Sequence, residues 1–252
     1  MTDQPASGLS QDAIWQKRVD LAAALRFAHR LGFSEGICNH FSVVVPGSPN
    51  RFLLNPRGLH WSEIRASDLI VVDSSGRLIE GKYEAEPTAF YIHSRIHASK
   101  PEAKCVLHTH MPYATALCCT EGEGLAWVHQ NSLRFYGRTA YDANYNGQAL
   151  DKAEGNRISA ALQGKNTIVF LSHHGVIVTG TAVDVAFDDL YYLERACMHQ
   201  VLAQSTGLPL RIVPPAVCEK FSSQVDEIVE QARLHFEAVK RILNREEPEY
   251  AT

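Results

Sequence analysis

Two histidines one residue apart close an apolar run, Cys105-Val-Leu-His108-Thr-His110. On an extended strand, residues i and i+2 point to the same side. His108 and His110 therefore present their imidazoles together. A second apolar run, Ile168-Val-Phe-Leu171, leads into Ser172-His173-His174-Gly175. If the two strands lie close together, a third imidazole from this pair reaches the same point. Three neutral imidazoles suit Zn²⁺, Mn²⁺, Fe²⁺ or Co²⁺ and leave positions open for water and substrate. A single histidine is more often a hydrogen-bonded polar residue than a ligand, and H-x-H alone occurs by chance on many strands. The conjunction of two such strand ends is more specific.

The elements that must carry these residues follow from spacing and turn chemistry. Apolar residues at helical spacing from Ile14 to Leu31 predict a helix over 11–32, stopped by Gly32. Strands are expected at 40–45, 52–55 and 69–73, separated by Pro46-Gly47-Ser48-Pro49-Asn50 and Ser74-Ser75-Gly76, as in antiparallel hairpins. Pro87 suits the first turn of a helix over 87–98 whose face carries Phe90, His93, Ile96 and His97. Next come a strand at 103–110 and helices at 111–119 and 158–162. A buried strand at 167–171, a long helix at 182–204 and a last helix at 221–245 follow. Residues 1–10 read as a flexible tail and 11–252 as one α/β domain, with helices flanking a central sheet.

Composition narrows the classes of partner. The 252 residues carry a net charge of −4 and 45% apolar residues, so no global attraction to nucleic acid or anionic membrane is expected. The first residues hold neither a basic start nor an apolar run, and no stretch reaches the length of a membrane span, which gives a cytoplasmic expectation. Six cysteines without a C-x-x-C pair read as reduced and mostly buried. Trp15, Trp61 and Trp127 read as packing residues, with Trp127 bordering the pocket. Glu194 and Arg195 read as a buried ion pair.

The chain resembles the class II aldolase/adducin family. The resemblance rests on Ala103–His110 with Pro112-Tyr-Ala-Thr-Ala-Leu117, and on Leu171-Ser-His-His-Gly-Val-Ile-Val-Thr-Gly180. Asn39-His-Phe-Ser42 is similar to the family's G-N-x-S turn, and Asn55-Pro-Arg-Gly58 to its T-P-x-G turn. The resemblance implies a three-layer α/β/α domain around a mainly antiparallel sheet. It also implies a homotetramer acting on a small molecule near the subunit interface. His108, His110 and His174 take the places of the divalent-metal ligands, and His173 stands where the family has Asn, in a supporting role. Asn39, His40, Asn55, Arg57, Gly58 and Thr88 take places in the substrate-binding turns; Arg57 suits a carboxylate.

One departure bears on the reaction. Sugar-phosphate aldolases of the family carry P-S-S-E, with the Glu as acid/base. The aligned stretch here is Glu86-Pro87-Thr88-Ala89, and a methyl group moves no proton. An aldolase must take a proton from the departing hydroxyl, whereas a decarboxylase needs only an acid to protonate the carbanion. The expectation is therefore a metal-dependent lyase that decarboxylates a small hydroxy-aromatic or keto acid through an enolate. Aldol cleavage or epimerisation of a hydroxy-carbonyl compound is the alternative, and a non-catalytic adducin-like interaction domain the third. His129, whose segment reaches a neighbouring subunit's site in some relatives, and Tyr136 are the candidate proton donors, with Glu86 as the carboxylate left near Ala89. Tyr141 and His93 are weaker candidates, for which packing is the better reading.

Overall fold

The computed structural model describes residues 11–122, 124–224 and 226–252, so the expected tail at 1–10 lies outside the described residues. Eight strands form one sheet in the order β4-β3-β2-β1-β5-β8-β7-β6. They are β1 (His40–Val45), β2 (Ser48–Leu54), β3 (Ile70–Asp73), β4 (Leu78–Glu80), β5 (Cys105–Thr109), β6 (Thr139–Asp142), β7 (Ile168–Leu171) and β8 (Gly175–Gly180). Every pairing is antiparallel except β6 with β7. The helices are α1 (Gln11–Arg30), α2 (Pro87–Ser99), α3 (Pro112–Cys118), α4 (Gln130–Leu133), α5 (Lys152–Ala161), α6 (Val183–Gln204), α7 (Pro215–Ser222) and α8 (Asp226–Glu246).

Period-two alternation sorts the strand side chains between two helical layers. Phe41 and Val43 of β1, with Cys105 and Leu107 of β5, enter a large core with Leu21 and Leu25 of α1 and Phe187 and Leu190 of α6. On the opposite face, Val106 and Ile177 pack against Ile92 and Ile96 of α2 and Ile158 of α5. The result is the α/β/α sandwich expected from the sequence. His40 and Ser42 alternate with Phe41 and Val43, so they turn toward the α2 layer. His40 pairs in register with His108, and Ser42 with Val106.

Glu86 begins α2. Its carboxylate accepts a hydrogen bond from Ala89 N at 2.8 Å and another from Thr88 Oγ1, and Pro87 follows at the first helical position.

Several expected boundaries move. The last helix does not run over 221–245: α7 ends at Ser222 and α8 begins at Asp226. The second strand begins at Ser48 rather than 52, because the Pro46–Asn50 stretch is the tight β1–β2 hairpin itself. The short β4 and β6, and β8, were not anticipated. Trp61 is fully buried, but Trp15 is 42% exposed and does not serve as a core residue. Cys38 and Cys119 are exposed, while the other four cysteines are buried.

Candidate metal centre

β5 and β8 are neighbours, with His108 opposite Ile177 and Thr109 opposite Val176. β7 lies beyond β8, so the third histidine does not come from a strand beside β5. It arrives through the tight β7–β8 turn, where His174 N donates to Leu171 O at 3.1 Å and Leu171 pairs with Gly175. His173 takes the left-handed position of that turn, with φ 58°. Gly175 is not the left-handed residue; it is needed for space. A β-carbon on it would lie 2.5 Å from Thr109 O and 2.7 Å from His110 Cδ2.

The rings of His108, His110 and His174 lie 4.8 to 5.0 Å apart between centroids. One ligand nitrogen from each falls within 4.8 Å of the others. His108 Nδ1 donates to Val176 O at 3.0 Å, which leaves its Nε2 as a lone-pair donor. His110 Nδ1 is engaged by the Glu35 carboxylate, and His110 Nε2 is buried with no hydrogen-bond partner. A buried polar atom left unpaired is costly, and a cation in the cluster would satisfy it. Neutral imidazole is the form a metal requires. Burial, then the neighbouring His174, His40 and His110, pushes His108 well below the usual histidine range. Burial and His110 lower His174 to about 4. The residues thus fit a divalent ion.

Asn39, with φ 74°, accepts hydrogen bonds at Oδ1 from Glu35 N at 3.1 Å and His110 N at 3.5 Å, so it ties the Glu35 turn to the end of β5. Asn55 Oδ1 accepts from Phe41 N at 2.8 Å, and its Nδ2 donates to Asn39 O at 3.4 Å. Both asparagines hold backbone around the cluster. His40 lies against His108, with centroids 4.8 Å apart. Arg57 and Gly58 are exposed, and Gly58 has φ 87°. Thr88 donates to Glu86. Ala89 is buried among Phe52, Leu54, Ile70 and Val72.

The structure does not bring the candidate acids to the cluster within the chain. His129 caps α4 by accepting from Asn131 N at 3.2 Å, and its ring lies 4.3 Å from that of His199. Tyr136 packs on Trp127 and lines a cavity of about 330 Å³ with Arg134, Arg138 and Asp188. Trp127 is not among the residues that line that cavity. Glu86 is engaged at the start of α2. Among the described residues, none of the three has a hydrogen bond or ring contact to the three histidines. The Glu194–Arg195 ion pair is not formed: the buried Glu194 carboxylate instead accepts from Tyr113 N at 2.8 Å and Ala114 N at 2.9 Å. Burial, the largest influence, raises its pKa above the usual range.

Sequence reasoning missed Glu35, which is four residues before Asn39 and carries no motif of its own. It also missed Tyr145, whose ring lies 6.4 Å from that of His174. The i, i+4 spacing of His93 and His97 was legible, but their hydrogen bonds to Ser42 were not.

A profile for the "Class II Aldolase and Adducin N-terminal domain" matches residues 19–201. The chain is 36% identical over 244 residues to a Pseudomonas aeruginosa protein provisionally named an aldolase class 2 protein, covering 94% of this chain and 93% of that one. It is 33% identical over 195 residues to rat alpha-adducin, covering 75% of this chain but 26% of the adducin. An aldolase II superfamily protein from Pseudomonas syringae superposes with a TM-score of 0.89 at 36% identity, covering 97% and 98% of the two chains. An L-fuculose 1-phosphate aldolase from Glaciozyma antarctica does so with a TM-score of 0.84 at 26% identity, covering 98% and 96%. The fold is that of a class II aldolase-type protein. The chain belongs to the class II aldolase/adducin family.

Proposed function

We propose that this chain is a metal-dependent lyase that breaks a carbon–carbon bond in a small carbonyl compound, with His108, His110 and His174 as the metal ligands. The observation that carries the reading is the convergence of three imidazoles, with His110 Nε2 buried and unpaired. A retired interaction domain has no need of that arrangement. When bound, Zn²⁺, Mn²⁺, Fe²⁺ or Co²⁺ supplies a Lewis acid that polarises a carbonyl oxygen and steadies enolate charge. Val176 O and the Glu35 carboxylate hold the His108 and His110 rings in the orientation that binding requires.

Decarboxylation of a keto or hydroxy-aromatic acid is the first reading of the reaction, because Ala89 puts no carboxylate at the family's acid/base position. Arg57, exposed on the Asn55–Gly58 turn, is the group suited to the substrate carboxylate, with Thr88 as a further substrate-binding side chain. Aldol cleavage is the second reading. It is favoured by the likeness to an L-fuculose 1-phosphate aldolase and by an acceptor nitrogen on His40, described below. No described helix is long and apolar enough to cross a membrane. A homotetramer is the expected assembly, and in it His129 or Tyr136 of a neighbouring copy would be the proton donor.

The test begins with protein purified without added metal. Elemental analysis is expected to find about one divalent ion per chain, lost in His108→Ala and His174→Ala and kept in His173→Ala. Keto and hydroxy-aromatic acids are then screened for CO₂ release, and hydroxy-carbonyl compounds for aldehyde release. Failure to bind Zn²⁺ or Mn²⁺ on titration would sink the enzyme reading and bring the adducin-like interaction domain to the front.

A further inference from the structure

A line of buried side chains runs from α2 to the edge of the three-histidine cluster. His97 Nδ1 lies 2.9 Å from the Ala103 carbonyl oxygen, and His97 Nε2 lies 2.7 Å from Ser42 Oγ. Ser42 Oγ lies 2.5 Å from His93 Nδ1, and His93 Nε2 lies 2.7 Å from His40 Nδ1. The sequence builds this line simply. His93 and His97 are one helical turn apart on α2, and His40 and Ser42 share a face of β1. All four side chains are buried.

One end of the line fixes the direction of every bond in it. A carbonyl oxygen only accepts, so the His97 proton sits on Nδ1. Neutral His97 then has a bare Nε2, to which the Ser42 hydroxyl must donate. The Ser42 oxygen is left to accept from His93 Nδ1–H. His93 in turn has a bare Nε2 and accepts from His40 Nδ1–H. The last nitrogen, His40 Nε2, is therefore a bare acceptor, with no hydrogen-bond partner among the described residues. Burial favours the neutral rings this order needs, and it lowers His97, at the far end of the line, to about 4. The His40 ring lies between those of His93 and His108, with centroids 4.7 and 4.8 Å away.

We propose that the Ala103 carbonyl, His97, Ser42 and His93 form a positioning relay that locks His40 with Nε2 as a hydrogen-bond acceptor beside the metal centre, for the hydroxyl of a hydroxy-carbonyl substrate. The bond order is a property of the chain itself; the substrate class rests on the lyase reading above. An acceptor at that hydroxyl is what aldol cleavage requires and decarboxylation does not. The side chain of Ala89 offers no such acceptor, and His40 Nε2 does.

The test is a two-bond ¹H–¹⁵N correlation spectrum of the metal-free full chain, labelled with ¹⁵N-histidine. It reports which ring nitrogen carries the proton. His40, His93 and His97 are expected to be protonated at Nδ1 and bare at Nε2. Ser42→Ala is expected to leave His97 in that form and release His93 and His40 into mixtures. A wild-type spectrum with His93 or His40 protonated at Nε2 overturns the relay, and needs no variant to fold. On titration with Zn²⁺, His108 Nε2 is expected to show the coordination shift and His40 Nε2 not; a coordination shift at His40 makes it a fourth ligand and overturns the acceptor role. 4-Hydroxy-2-butanone, which carries the β-hydroxyl that aldol cleavage deprotonates, is expected to move the His40 Nε2 signal of the Zn²⁺-loaded protein where 2-butanone does not. An equal response to both, or to neither, overturns the substrate class. Failure of the metal titration with the predicted bond order intact would sink the lyase reading and leave the relay standing.

Discussion

Gly175 approaches the Thr109 carbonyl so closely that a β-carbon would sit 2.5 Å from that oxygen. Backbone cannot yield there as a flexible side chain would, because Thr109 is paired with Val176 in the sheet. Gly175→Ala is therefore expected to part the end of β5 from the start of β8 and separate His110 from His174. Overpacking of this kind costs roughly 1–3 kcal/mol. That is a fall in Tm of about 2–4 °C for each kcal/mol in a chain of this size. Calorimetry and metal analysis of the same variant check the two effects, and a variant with wild-type Tm and full metal content would refute the close approach.

The Glu35 carboxylate engages His110 Nδ1 from a side chain that is 66% exposed. Its value to folding is accordingly small. Its value to the centre is larger, because it orients the ring and makes Nε2 more basic. Partners of this type typically contribute 10–100-fold to metal affinity. Glu35→Gln is expected to weaken Zn²⁺ binding by about that factor while leaving the Tm of the metal-free protein nearly unchanged. Competition against a chelator measures the first and thermal unfolding the second.

The three-histidine cluster was legible because its residues sit where strand periodicity breaks into polar sequence, at His108, His110 and His174. What the sequence did not convey was order across the sheet. Nothing in Ile168–Leu171 says that β8 intervenes before β5, so the role of the β7–β8 turn was invisible. β4 and β6 are three and four residues long, too short for a period to register. Glu35 reaches His110 through tertiary contact over 75 positions of sequence. The ion pair expected of Glu194 and Arg195 failed because adjacent helical residues point about 100° apart; Glu194 faces inward to α3 instead.

That placement makes Glu194 a cap for α3. Two backbone N–H groups at the start of the helix, those of Tyr113 and Ala114, have the Glu194 carboxylate as acceptor. α3 begins two residues after His110, so its first turn fixes the chain leaving the metal centre. Glu194→Ala leaves both donors unpaired in a buried place, at a cost of about 1–3 kcal/mol. Arg195→Ala, which removes no such acceptor, is expected to cost less than about 1 kcal/mol. Urea unfolding of the two variants decides between a cap and an ion pair: equal losses would favour the pair.

Stability should fall in mild acid, and His97 offers a clean measure of how much. Its folded pKa is depressed to about 4 by burial, from 6.5. The unfolded chain therefore binds more protons than the folded one between these values, and stability rises with pH across that window. The contribution of neutral, buried His97 is complete above pH 6.5 and is lost as pH falls through about 4. Its full size is on the order of 3 kcal/mol. His97→Gln removes the titrating group and is expected to flatten the slope between those limits, even where it lowers stability throughout. Urea unfolding of metal-free wild type and variant at several pH values from 4 to 7 gives both slopes. Equal slopes would mean that His97 titrates alike in the folded and unfolded chains, contrary to its burial beneath Ser42 and the Ala103 carbonyl.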